Sequence, residues 1–429
     1  MKKLALHWWI LLAMAAGIAY GVVAAQLGAT DHVLLYIRPL GTLFLNLLKM
    51  IAVPLVLFSL VAGVASLNDT SKLGRIGGRT IALYLGTTAL AITIGLLVAS
   101  IIQPGASIAA DPQIRAGLQA NFGAEASVRL GAASQVSILD QMIDIVPTNP
   151  FAALASASML QVVFFALILG VALTRLGARA APAVQVFQLL TDGIIEIVHI
   201  VMRIAPIGVF ALMAALIADL GRDPDSLSVL LGSLLGYMAT VAIGLLVHVL
   251  VVYCLLLKFV AKVPIRHFFR AIAPAQLLAF STSSSAATLP VTMSVVEEKV
   301  GVSEEVSSFV LPLGATINMD GTGLYQGVAA MFIATAYGLD LTLSQQLQVV
   351  LTASLASIGT AAVPGVGIVM LTIVLGQIGI APEGIALILG VDRPLDMLRT
   401  AVNVTGDATV ATCVAAKEGA LEPTTASLA

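Results

Sequence analysis

The feature that most restricts what this chain can fold into is a set of polar residues inside an apolar stretch near its end. Residues 382–416 carry Asp396, Arg399, Thr400, Asn403 and Asp407. In a helix successive residues turn by about 100°, which places all five within an arc of roughly 100° on one face. A charge at the centre of a bilayer costs about 2.5–3.5 kcal/mol on the insertion scale, so three of them need partners or water. The face therefore lines a polar site. An Asp396–Arg399 ion pair at i, i+3 could satisfy itself, but it leaves Asp407, Asn403 and Thr400 unexplained.

The surrounding composition makes the stretch a membrane span. The chain is 59% hydrophobic and 10% charged, against about 25% charged in soluble proteins, which excludes a water-soluble fold. Its 37 Gly and 17 Pro suit a polytopic helical membrane protein. A net charge of −2 offers no basic excess for nucleic acid. Cys254 and Cys413 lie in apolar runs without partner spacing, so neither a disulfide framework nor a metal knuckle is indicated.

Lys2 and Lys3 precede an apolar run, 4–27, that is too long for a cleaved signal core. It is read as a retained span with Trp8 and Trp9 as interfacial anchors. Further spans are predicted near 37–67, 80–103, 150–174, 184–218 and 227–258. Lys72, Arg75 and Arg79, then Arg175 and Arg179, then Lys258, Lys262, Arg266 and Arg270 make alternate loops basic. The positive-inside rule then places the N-terminus in the cytoplasm, and the long polar loop 104–148 outside.

Beyond residue 260 the apolar segments are interrupted at their middles. Ser281-Thr282-Ser283-Ser284-Ser285 breaks 264–296, and Ser357 to Gly365 breaks 344–378. Non-helical backbone at membrane depth is tolerated only inside protein or along a cavity. Each interrupted segment reads as a helical hairpin that enters and returns, and full spans at 304–336 and 382–416 alternate with them. Small-residue helix packing is the alternative reading of one serine cluster; a second, corresponding break favours an inverted repeat with its site at the breaks. In the span between the hairpins, Asn318-Met319-Asp320-Gly321-Thr322 reads as an unwound turn offering carboxylate, amide and carbonyl oxygens to a hard cation. The alternative is a kink at Gly321, which does not require the acid.

Two other classes fit less well. A channel needs a continuous polar pore, yet the polar residues concentrate at one depth in the C-terminal half. An enzyme needs a nucleophile with a base, and Ser284 has no His near it in sequence; His199 and His248 lie in other spans without a motif. Asp192, Glu196, His199 and Arg203 share one face of the fifth span and read as a scaffold or subunit-contact stripe.

Four motifs in order carry a family resemblance: Ser283-Ser284-Ser285 leading to Thr288-Leu289-Pro290, Asn318-Met319-Asp320-Gly321-Thr322, Ala362-Val363-Pro364-Gly365, and Asp396-x-x-Arg399-Thr400-x-x-Asn403-x-x-x-Asp407. Together with Pro147-Thr148-Asn149-Pro150-Phe151, they resemble the signatures of the dicarboxylate/amino acid:cation symporters, which include archaeal aspartate transporters and vertebrate excitatory amino acid transporters. The resemblance covers nearly the whole chain. It implies an all-α membrane protein of eight transmembrane helices and two re-entrant hairpins, a homotrimer working by an elevator-like movement. Scaffold would comprise 1–79 and, with the outer loop, 104–225; the mobile transport domain would comprise 80–103 and 226–417, leaving 418–429 as a cytoplasmic tail. The implied activity is sodium-coupled uptake of aspartate or glutamate across the plasma membrane, not enzymatic catalysis.

The resemblance also implies residue roles. Arg399 and Thr322 would take the substrate side-chain carboxylate and Asp396 its ammonium. Asn403, Ser285 and the first hairpin tip, where Ser283 lies, would meet the α-carboxylate. Thr400 would add a contact, and Val363 and Gly367 would close the lid. The chemistry is apt, since arginine presents a planar fork to a carboxylate and aspartate balances an ammonium. One sodium site would use Asp407 with carbonyls at Gly314, Asn318 and Asn403. A second would use carbonyls at Thr316, Ser357, Ile358 and Thr360, and a third Asp320, Asn318, Thr87, Thr88 and Tyr84.

The chain departs from the family at one point. Archaeal members carry an arginine where Ser283 stands, and vertebrate members one where Met397 stands; Arg393, three residues before Asp396, is the nearest replacement. Gln326 stands where vertebrate members have a glutamate thought to carry a proton, and an amide does not titrate in that range. Na⁺ is thus the expected coupling ion. Proton-coupled symport of glutamate or C4-dicarboxylates is the alternative, with Asp320 or Asp407 itself taking up the proton.

Overall fold

The computed structural model describes residues 6–65, 73–111, 143, 146–156, 158–220, 224–357 and 365–421. These residues form helices and short connections, with one isolated antiparallel bridge between Val302 and Leu421. Three described stretches, Ile76–Ile102, Phe164–Val198 and Ser228–Ala261, are long and apolar enough to cross a bilayer.

The N-terminal half supplies α1 (Leu6–Gln26), α2 (Arg38–Ala65), α3 (Leu73–Ile102), α4 (Met159–Leu176), α5 (Ala181–Arg203) and α6 (Ala205–Leu220). Helix α1 packs along α6, and α2 lies against α4, α5 and α6. The expected single span at 184–218 is divided at Ile204, two residues before Pro206. The proline ring lacks an N–H and clashes with the carbonyl four residues back, so it suits the first turn of α6 and not the interior of a longer helix. The 150–174 run is likewise divided, with Pro150–Ala155 forming a separate short helix capped by the side chain of Asn149. Asp192, Glu196 and Arg203 are exposed on α5.

Helix α3 instead packs against the C-terminal half, chiefly α7 (Pro224–His248) and α11 (Asp320–Ala336). Past His248 the helix continues with wider π turns at Val249–Tyr253 and Leu256–Ala261.

The first predicted hairpin is present as α8 (Ile265–Thr282) and α9 (Ser285–Val295), which pack on each other. The reversal needs only two residues. Ser283 adopts a left-handed φ of 51° and ends α8; Ser284 is extended, and its side chain caps α9 by accepting from the Ala287 N–H. The second hairpin pairs α12 (Leu343–Ser357) with α13 (Val366–Gln377), and Gly365 enters α13 with φ 86°. Residues 358–364 between them lie outside the described residues, and with them Ile358, Thr360 and Val363.

The span predicted at 304–336 is two helices, α10 (Glu304–Ile317) and α11. The unwound turn is shorter than expected. Asn318 and Met319 alone leave the helical region, and Asp320 already begins α11. The last span starts later than predicted: 3₁₀ turns occupy 382–391, and α14 runs from Asp392 to Glu418. Helices α8, α10 and α11 pack around α14. At its far end Arg79 pairs with Glu418, and the Ser303 N–H donates to Ala420 O at 3.0 Å. Residues 422–429 of the expected tail lie outside the described residues.

Candidate functional site

Helix α14 brings its polar face inward, where Arg399 is fully buried. Its guanidinium is held on three sides. Nη2 donates to Asp396 Oδ1 at 2.8 Å, Nη1 donates to Asp392 Oδ1 at 3.0 Å, and the group lies 3.9 Å over the ring of Tyr325. The expected i, i+3 pair thus exists, but Arg399 is not limited to one acid on its own helix. Asp392, seven residues earlier, was missed, although its spacing places it on the same face. The Arg399 Nε–H has no partner among the described residues. Arg393 approaches Asp396 from the other side, Nη1 to Oδ2 at 3.4 Å.

Glycines let backbone come close to this arginine. A Cβ on Gly367 would stand 3.1 Å from Arg399 Nη2, and one on Gly321 would stand 2.6 Å from Arg399 O. The second hairpin and the break between α10 and α11 therefore both abut the guanidinium-bearing turn of α14. Asn403 secures that junction. Its Oδ1 accepts from the Gly321 N–H at 2.8 Å, and its Nδ2 lies 3.3 Å from both Thr322 Oγ1 and Met319 Sδ. Thr400 donates to the carbonyl of Asp396 at 2.8 Å. Ser283 and Ser285 are buried at the tip of the first hairpin, and Ser283 Oγ has no partner among the described residues.

One further turn along α14, Asp407 meets the break itself. Its Oδ1 accepts from Asn318 Nδ2 at 2.9 Å, while the carbonyl oxygen of Asn318's side chain, Oδ1, is buried with no donor among the described residues. Gly314 lies beside both Asp407 and the Tyr84 hydroxyl, close enough that a Cβ there would clash with each. Tyr84 itself donates to Val310 O at 3.0 Å. The carbonyl of Gly314 accepts from the Asn318 N–H at 2.8 Å and keeps a second lone pair.

Asp320, expected to offer its carboxylate to a cation, already has partners within the protein. Thr88 donates to its Oδ1 at 2.5 Å, Tyr253 donates to its Oδ2 at 2.8 Å, and His248 Nε2 lies 3.3 Å from the same oxygen. His248 and Asp320 are both fully buried. Sequence reasoning passed over His248 and Tyr253 because they stand five apart, about 140° around an ordinary α-helix. The π turn at Val249–Tyr253 closes that angle, and their rings meet edge to face at 4.6 Å.

The remaining predicted ligands are dispersed. Thr87 donates to Tyr84 O at 3.1 Å, Thr316 to Leu313 O at 2.9 Å and Ser357 to Ser354 O at 2.7 Å. Each hydroxyl donates within its own helix. Among the described residues no group of three or more His, Cys, Asp and Glu could hold a metal ion. Two separated carboxylates among amide and carbonyl oxygens provide the oxygen donors that hard cations take.

Two pairs of packed helices, with a helix broken beside a buried arginine, are features shared by membrane transporters whose sites are built from interrupted helices. More specifically, this chain belongs to the sodium:dicarboxylate symporter family, whose sequence profile matches residues 6–417. It is 37% identical to a proton/sodium-glutamate symport protein of Bacillus caldotenax, over 98% of this chain and 96% of that one. A proton/glutamate-aspartate symporter of Escherichia coli K12 is 37% identical over 95% and 91%. A C4-dicarboxylate transport protein of Rhodospirillum rubrum is 35% identical over 97% and 89%. The apolar helices are thus those of a membrane transporter.

Proposed function

We propose that the protein is a sodium-coupled symporter of acidic amino acids, aspartate or glutamate, in the plasma membrane. The observation that carries this reading is the arrangement around Arg399. A buried guanidinium with an unpartnered Nε–H, bordered by the glycine-lined approaches of Gly321 and Gly367, is suited to take a carboxylate in a bidentate manner. Asp396 beside it is the partner for the ammonium. In this reading Thr322, Thr400, Asn403, Ser283 and Ser285 add contacts to the substrate, and Val363 and Gly367 are assigned to the lid.

Na⁺ is the coupling ion in this reading. The orphan Oδ1 of Asn318 next to Asp407 supports one cation site, to which the carbonyls of Gly314 and Asn403, each one helical turn before these two residues, are assigned. Asp320 with Asn318, Thr87, Thr88 and Tyr84 forms another, and carbonyls at Thr316, Ser357, Ile358 and Thr360 a third that ties the lid to the ion. Gln326, buried in α11, offers no titratable group at the position discussed above.

The packing supports an elevator. Helices α1, α2, α4, α5 and α6 pack mainly on one another, whereas α3 packs with α7, α11 and α12. The first set is the scaffold of a homotrimer with the boundaries given above. The second carries the substrate across, with both termini cytoplasmic.

A second reading, proton-coupled symport of glutamate or C4-dicarboxylates, has one observation in its favour. Asp396 is already compensated by Arg393 and Arg399, so a dicarboxylate without an amino group would leave no acid unmatched. Uptake of aspartate, glutamate and succinate by proteoliposomes under separate Na⁺ and pH gradients distinguishes the readings. Accumulation of aspartate or glutamate under a Na⁺ gradient supports the first, and accumulation of succinate under a pH gradient alone supports the second.

A further inference from the structure

Four charges at the start of α14 alternate in sign. Arg399 joins Asp392 and Asp396, and Arg393 closes the series on the far oxygen of Asp396. The two arginines stand at i−3 and i+3 from Asp396 and so flank it on opposite sides of one helix face. They divide its carboxylate, with Oδ1 on Arg399 at 2.8 Å and Oδ2 on Arg393 at 3.4 Å. The Arg393–Asp396 pair is mostly shielded from solvent, at 15% and 11% side-chain exposure. An exposed i, i+3 pair would carry little meaning; this one is shared with the residue assigned to the substrate.

The division matters when substrate arrives. Resting on the reading proposed above, a substrate carboxylate takes the Arg399 fork, and Arg399 then releases Asp396 Oδ1. A carboxylate without a second anchor is free to rotate about its terminal torsion, which is broad and roughly two-fold. We propose that Arg393 is a positioning residue for recognition of the substrate amino group. By holding Asp396 Oδ2 it leaves Oδ1 directed at the ammonium. Arg393 acts through Asp396, not on the substrate itself.

The test uses the full-length protein reconstituted in proteoliposomes, as wild type, Arg393→Gln and Arg393→Lys. Uptake of aspartate gives KM and kcat, and succinate, which has both carboxylates and no amino group, serves as competitor. Arg393→Gln is expected to raise the KM for aspartate about tenfold with kcat little changed, and Arg393→Lys to recover most of that loss. Inhibition by succinate, whatever its wild-type value, should stay within about twofold. Equal losses for aspartate and succinate would overturn the proposal, because Arg393 would then serve a carboxylate. An unchanged aspartate KM, or a loss confined to kcat or to thermal stability, would overturn it as well. A wild-type protein that takes up succinate and ignores aspartate and glutamate would overturn the substrate reading, and this proposal with it. Normal aspartate uptake with Arg393→Gln unaltered would overturn this proposal alone.

Discussion

Gly367, in the first turn of α13, lies against the guanidinium of Arg399: a Cβ there would stand 3.1 Å from Nη2 and 3.2 Å from both Cζ and Nη1. This contact ties the second hairpin to the arginine on which the functional reading depends. Alanine is the better helix former by about 1 kcal/mol, so any damage from Gly367→Ala reports the contact and not the helix. The variant should express normally and raise the KM for substrate about tenfold, since the arginine must shift to admit a methyl group. An unchanged KM would separate the hairpin from the site.

Gly321→Ala should be harsher. The added Cβ would meet the carbonyl of Arg399 at 2.6 Å, a main-chain atom that cannot turn aside as a side chain can. Helices α11 and α14 would have to part, disturbing the Asn403 bridge to Gly321 N as well. Loss of uptake together with a lowered melting temperature is the expected result in detergent-purified protein.

Replacing Arg399 by Ala removes the shared partner of Asp392 and Asp396. Breaking a buried ionic set by deleting one member costs about 3–5 kcal/mol, so the single variant should be destabilised and transport no acidic substrate. Arg399→Ala combined with Asp392→Asn should recover melting temperature and still fail to take up aspartate. Recovery of uptake in that pair would mean that the arginine is structural only. Arg399→Lys should also fail, because an ammonium cannot span the two acids and the Tyr325 ring as the planar fork does.

These side chains also mark how far the sequence could be read. The polar face of α14, the break at Asn318 and the serine reversal were all visible, because each places polar atoms where an apolar span should have none. Asp392 was legible as well, since its i, i+7 spacing to Arg399 puts it on the same face of the predicted span. His248 and Tyr253 were not legible, since their meeting at Asp320 depends on a π turn that no spacing rule anticipates. The division at Ile204 could have been read from Pro206, had the apolar run not masked it. The tip of the second hairpin is a different matter: Ile358, Thr360 and Val363 keep only their sequence assignments.

The contacts of Asp320 make a prediction of their own. His248→Gln keeps a donor within reach of Asp320 Oδ2 and should retain most of the cation dependence of uptake, whereas His248→Leu removes it and should raise the Na⁺ concentration needed for half-maximal uptake about tenfold or more, since one hydrogen bond to a charged group is worth roughly 1.5–3 kcal/mol. Substrate KM at saturating Na⁺ should change less in both. Equal behaviour of the two variants would show that the ring only fills space beside Tyr253.

Asp407 and the uncovered Oδ1 of Asn318 lead to the most direct test of the central claim, that a cation held at the helix break drives uptake. The measurement is accumulation of labelled aspartate in proteoliposomes, first with an inward Na⁺ gradient at equal pH, then with an inward proton gradient and no Na⁺, for wild type and Asp407→Asn. Wild-type protein should accumulate aspartate under the Na⁺ gradient alone, and Asp407→Asn, which neutralises the ligand while keeping its shape, should lose that response. Accumulation driven by the proton gradient without Na⁺, or a sodium response untouched in Asp407→Asn, would contradict the account.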